Sequence, residues 1–163
     1  MTKPRYVIVV GIDYSSASEH ALNTALSLAC SKHGVQLHVV NVRSPLDPPT
    51  ASNGAPAPLP PLEYWAAELS EYVARQIAAF QATPDGAAFQ HVHTHQRMNE
   101  PAHELAQLAA DIEADLVVVG THDWHDVTRR TLGSVAEAVT RLAPCPVLVV
   151  RRKVASPPLH AVP

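Results

Sequence analysis

The sequence predicts an α/β fold: an open sandwich built on a five-stranded, mostly parallel sheet, with about four helices on both faces. Two patterns carry this expectation. Short apolar runs alternate with helix-length amphipathic stretches. The runs are rich in Val and lack polar alternation, as in strands buried on both faces. With 163 residues, 47 % hydrophobic and 17 % charged, the chain is long and apolar enough for one domain with its own core.

The first strand is read at Tyr6–Val10. This run is far too short for a secretory leader or a membrane span, so the chain reads as cytoplasmic with no membrane partner. A helix follows over Ser16–His33. Ser16 and Glu19 stand at capping-box spacing, Leu22, Ala25, Leu26 and Ala29 form one apolar stripe, and Gly34 stands where a C-cap belongs. Val35–Val42 is the second strand. Residues 44–61 carry seven prolines and read as a mobile loop, because proline interrupts both helices and central strands.

The next helix spans roughly Glu63–Phe80 and buries Trp65, Leu69, Tyr72 or Val73, Gln76 or Ile77, and Phe80. His91, His93 and His95 alternate, as on one face of a strand. Three imidazoles suggest a metal site, but same-face neighbours lie ~6.6 Å apart along a strand, too far to share one ion easily. The row therefore reads as a solvated or helix-covered edge. A helix starts at Pro101 and carries Leu105, Leu108, Ala109 and Ile112. Leu116–Val119, a helix from Ser134, and Val147–Val150 complete the pattern. The domain is placed at residues 1–153, with 154–163 a flexible tail.

A net charge of −3 and a pI near 6.3 provide no broad basic field, which argues against nucleic acid as a partner. Cys30 and Cys145 lie far apart in apolar surroundings and read as buried free thiols, not a disulfide or a zinc site.

The densest chemistry lies between Leu116 and Val135. Gly120 permits a sharp turn at the carboxyl edge of the sheet, where α/β folds bind ligands. Ser134 and Glu137 again have capping-box spacing, so the N–H groups of Gly133, Ser134 and Val135 are expected to point out of a helix N-terminus and favour an anion.

Here the resemblance to a family becomes specific. Gly120-Thr-His, Gly133-Ser134-Val135-Ala-Glu137 and Ala143-Pro-Cys-Pro-Val147-Leu-Val-Val-Arg resemble the C-terminal signature of the universal stress proteins. Val10-Gly-Ile-Asp13-Tyr-Ser-Ser resembles their opening strand and turn, and Asn99-Glu-Pro101-Ala their third-helix start. The resemblance covers roughly Arg5–Arg152 and implies an adenine nucleotide alpha-hydrolase-like, Rossmann-like fold. It also implies a cleft for ATP or another adenine nucleotide. Ile12 and Asp13 would line the adenine pocket and Val42 would pack on base or ribose. Gly120, His122, Asp123, Gly133, Ser134 and Val135 would surround ribose and phosphates. For Asp13 the alternative is a turn or cap carboxylate, and for Ser134 simple helix capping.

One departure matters: Asp123 stands where the family's loop has its second glycine. A carboxylate within ~4 Å of a phosphate costs about 1 kcal/mol in bulk dielectric and about 4 at an effective dielectric near 20, roughly one to three decades of affinity. Arg129 and Arg130 in the same loop can offset this, as can Mg²⁺ or Mn²⁺ bridging Asp123 to the phosphates. His122 and His125 invite an acid–base role, but no nucleophile with a positioned base is identifiable, so catalysis extends at most to slow ATP hydrolysis. Trp124 is expected to pack over the cleft or on a partner.

The final strand, through residues 147–152, would leave an aggregation-prone hydrophobic edge. Pairing with the same strand of a second copy removes it, and the resemblance implies such a homodimer. Two readings follow. One is a stress-response or regulatory dimer switched by a nucleotide. The other is a protein-interaction dimer whose phosphate site Asp123 has degraded.

Overall fold

The computed structural model describes residues 6–45, 58–84, 86, 89, 91–121 and 133–151. Within them strands and helices alternate: β1 (Tyr6–Ile12), α1 (Ser16–Cys30), β2 (Val35–Arg43), α2 (Leu62–Gln81), β3 (Val92–Met98), α3 (Pro101–Asp111), β4 (Leu116–Gly120), α4 (Ser134–Leu142) and β5 (Val147–Val150). The strand order is β3–β2–β1–β4–β5 and every pairing is parallel. The two strands after β1 build one side of the sheet and the last two build the other. The chain therefore reverses direction between β1 and β4, which opens a crevice at their carboxyl ends.

The two-residue period of β1 divides the core into two layers. Ile8, Val10 and Ile12 pack with Leu22, Leu26, Leu37, Val39, Leu69 and Val73 under α1 and α2. Val7 and Val9 pack with Val40, Leu105, Leu108, Val117 and Val139 under α3 and α4. Val9, Val10, Val117 and Val118 are wholly buried because helices cover both faces. The α2 face buries Trp65, Leu69, Val73 and Phe80 as expected, while Gln76 and Ile77 are only half-buried.

Several local expectations need correction. The N-cap of α1 is Ser15, not Ser16: its hydroxyl accepts from the Ser18 amide at 3.2 Å. The shift arises because Tyr14 takes a left-handed conformation (φ 63°), which leaves Ser15 as the last extended residue. α1 ends at Cys30 with Ser31 as C-cap, three residues before Gly34. That glycine instead holds the positive φ of 74° in the turn into β2. No capping box forms at Ser134 either. Gly133 is the N-cap of α4, and the Glu137 carboxylate accepts from Arg141 at 2.7 Å. Cys30 is exposed rather than buried. Cys145 is half-buried, and both thiols are free. Burial, then the Asp115 carboxylate, pushes the Cys145 thiol pKa up.

Pro101 is the first residue of α3, as expected, and Glu100 caps it by accepting from the amides of Ala102 (3.1 Å) and His103 (2.7 Å). One residue past the C-cap, Glu113 is forced to φ 53°. Glu113→Gly is therefore expected to stabilise the fold by about 0.5–1 kcal/mol, since relief of the left-handed penalty exceeds glycine's entropy cost. The check is a higher urea midpoint at unchanged slope.

Candidate functional site

The crevice at the carboxyl ends of β1 and β4 forms a cleft facing the α3/α4 layer. Gly11, Ile12 and Asp13 at the end of β1 form its base. Val40 and Val42 of β2 supply one apolar wall, and Leu105 of α3 with Val119 of β4 the floor. Gly133 and Val135 close the far side at the start of α4.

The β1–α1 turn is tied down by its own hydroxyls. The Asp13 carboxylate accepts from the Ser15 amide at 3.0 Å and from the Ser15 hydroxyl at 2.5 Å. The Asp13 amide donates to the Ser18 hydroxyl at 3.3 Å, and that hydroxyl donates to the Ser15 carbonyl at 3.1 Å. Asp13 therefore does serve as a turn carboxylate. It is also exposed at the mouth of the cleft, where its oxygens can accept from a ligand's hydroxyl or amino group. Among the described residues lining the cleft it is the single titratable side chain.

A buried network anchors Ile12 from the other side of the sheet. Asn41 donates to the Ile12 carbonyl at 2.7 Å, and Gln96 donates to the Asn41 side-chain oxygen at 2.9 Å, linking the ends of β1, β2 and β3. Tyr14, in its left-handed conformation, packs edge-on against Tyr72 of α2 at 5.0 Å. The Arg43 guanidinium lies 5.9 Å from the Tyr14 ring and stacks at 3.7 Å over Trp65. Burial raises the pKa of both tyrosines, with Glu68 adding to the rise at Tyr14 and Glu19 at Tyr72. Both phenols stay neutral at physiological pH, so neither adds a negative charge beside Asp13.

Gly120 has a reason the motif did not suggest. It is still paired within β4, and a Cβ there would lie 2.4 Å from the Ala17 carbonyl oxygen and 2.9 Å from the Ser18 nitrogen. Glycine is needed so that the end of β4 can pass the first turn of α1. Its own protein backbone, before any ligand, excludes a side chain.

At α4, the N-terminal turn begins at Gly133 with no side-chain cap bond among the described residues, a position that suits an anion. Ser134 is the first helical residue and is exposed. It stands beside the cleft wall rather than among its lining residues.

Of the residues singled out in the sequence, the structure gathers Ile12, Asp13, Val42, Gly120, Gly133 and Val135 around one cleft. His122, Asp123 and Arg130 lie outside the described residues, as do Arg129, Trp124 and His125. The sequence reading missed Gly11, Ser18, Val40 and Leu105. Two of these had a signal: Val40 is two residues before Val42 on the same strand face, and Leu105 follows Pro101 by one helical turn. Among the described residues, no cluster of three or more His, Cys, Asp or Glu side chains is arranged to hold a metal ion. No helix there is long and apolar enough to cross a membrane.

Comparison with known proteins agrees with this architecture. The model of the universal stress protein family matches residues 6–151. A relative from Staphylococcus epidermidis, described as a universal stress protein, is 32 % identical over 149 residues, covering 88 % of this chain and 82 % of its own. The solved structure of universal stress protein UspA from Lactobacillus plantarum superposes with a TM-score of 0.61 at 26 % identity, over 91 % of this chain and 100 % of that one. A universal stress protein solved in complex with cAMP shares the fold at a TM-score of 0.62 and 24 % identity, over 93 % of this chain and 100 % of that one.

Proposed function

The chain belongs to the universal stress protein family, and from that premise we propose that it is a nucleotide-responsive stress or regulatory module whose cleft takes an adenine nucleotide. The observation that carries this reading is one cleft offering three complementary surfaces. Val40, Val42 and Leu105 form an apolar wall and floor for a base, Asp13 is an acceptor at the mouth, and the N-terminus of α4, without a side-chain cap among the described residues, can receive an anion. A neighbour of the same fold was solved with cAMP, a ligand of this chemical class. With Asp13 the single titratable group among the described cleft residues, the site supports binding better than turnover.

ATP is the nucleotide we favour, with Mg²⁺ or Mn²⁺ entering on its phosphates. The described residues supply no preformed cage, so the protein's contribution to the ion would be the Asp123 carboxylate of the motif loop. The module acts as a homodimer through β5, which lies at the edge of the sheet with Leu148 exposed and can pair with the same strand of a second copy.

Val42→Asp tests the cleft assignment. A carboxylate in the apolar wall is expected to weaken adenine-nucleotide binding at least about tenfold by desolvation and phosphate repulsion, while the fold survives because Val42 is half-buried. Displacement of a fluorescent adenine nucleotide by ATP, AMP and cAMP reads the effect. Unchanged affinity in a folded Val42→Asp protein would place the ligand elsewhere.

A further inference from the structure

The row of histidines expected on β3 is completed by one from the neighbouring strand. His38 of β2 is buried and pairs in register with His93. Its ring centroid lies 4.7 Å from that of His93 and 5.1 Å from that of His95, with interplanar angles of 27° and 15°, and the His38–His95 pair meets edge to edge in nearly one plane. His38 Nδ1 and His95 Nε2 are 2.9 Å apart, so one of these nitrogens donates and the other accepts. β3 is the edge strand, and His93 on it is exposed.

We propose that the His93–His38–His95 cluster is an acid-sensitive latch on edge strand β3, closed at neutral pH and released as the imidazoles take up protons. The hydrogen bond between His38 and His95 needs an acceptor nitrogen. A proton shared by the pair is compatible with it, but two protonated rings face donor to donor and the bond is lost. Rings about 5 Å apart also hold like charges close together once more than one ring is charged.

Among the described residues, the other charged groups on this face do not compensate. Arg97, two residues along β3, adds positive charge. The carboxylates that α3 brings across, Glu104 and Asp111, are already drawn to Arg97 at 3.1 and 3.9 Å. Consistent with this geometry, burial, then Arg97, then His93 lower the His95 pKa from its ordinary value of 6.5. The sign follows. A lowered pKa in the folded state means that the latched form binds fewer protons than the open form, so its stability is complete above about pH 6.5 and declines as pH falls below it.

Hydrogen exchange at pH 7.5 and 5.5, corrected for intrinsic rates, tests the latch. One linked proton changes an opening equilibrium about tenfold per pH unit. Amides of Val92–Met98 are therefore expected to lose about tenfold in protection at pH 5.5, while those of β1 and of the opposite edge, β5, hold theirs. In His95→Gln, whose amide can keep a hydrogen bond to His38 without titrating, the loss at β3 should shrink below about threefold. His93→Gln, at the exposed end of the cluster, gives a second reading if the first variant folds poorly. Equal loss across all strands, or an undiminished loss at β3 in both variants, would overturn the proposal.

Discussion

Alanine at Gly120 is expected to destabilise the protein by about 2–3 kcal/mol even in the absence of any ligand, because the added Cβ overlaps backbone that cannot rotate away. The nearest atoms are the Ala17 carbonyl oxygen at 2.4 Å and its carbon at 2.5 Å, both in the first turn of α1. Relief requires β4 and α1 to separate, which disturbs the packing of Val118 against Leu22 and Leu26 and also the β1–α1 turn that carries Asp13. Urea unfolding of the nucleotide-free protein measures it as a lower midpoint. Unchanged stability with lost nucleotide affinity would mean that the glycine serves the ligand alone.

Asp123→Gly should change ATP affinity by one to three decades, with a sign set by the metal. Without a divalent ion the carboxylate repels phosphate, so its removal strengthens binding. The scale is about 1–4 kcal/mol for charges ~4 Å apart, according to the effective dielectric. With Mg²⁺ the same carboxylate becomes a ligand to the ion, so its removal weakens binding. Titration of both proteins in Mg²⁺ and in EDTA reads this crossing. Tighter binding by the variant in both buffers would instead identify a degraded phosphate site and favour the protein-interaction reading.

How far the sequence carried these conclusions differs by level. The strands were legible because helices cover both faces of the sheet, which leaves unbroken runs such as Val7–Val10 and Leu116–Val119. The stripe on α1 and the Pro101 start of α3 were legible because helical period and proline geometry are local properties. The caps were less so. A Ser-x-x-Glu spacing cannot reveal that Tyr14 turns left-handed and moves the cap to Ser15, nor that Glu137 prefers Arg141 to its own helix start.

Within the cleft, motif resemblance located Ile12, Asp13, Val42, Gly120, Gly133 and Val135, but not their reasons for being there. The demand on Gly120 comes from α1, about a hundred residues earlier in the chain, and the support for Ile12 comes from Asn41 and Gln96 on two other strands. Along β3 alone, the spacing of the histidine row keeps the rings apart. His38 enters from the next strand, and only the register of β2 against β3 brings it within reach of both His93 and His95.

The central claim, an adenine-nucleotide cleft at the β1–β4 crevice, is tested most directly by calorimetric titration of the purified protein with ATP, with and without Mg²⁺, after confirming that no nucleotide co-purified. Binding at micromolar affinity that depends on the ion is the expected result. Absence of heat up to millimolar ATP in either buffer, with none carried through purification, would contradict it.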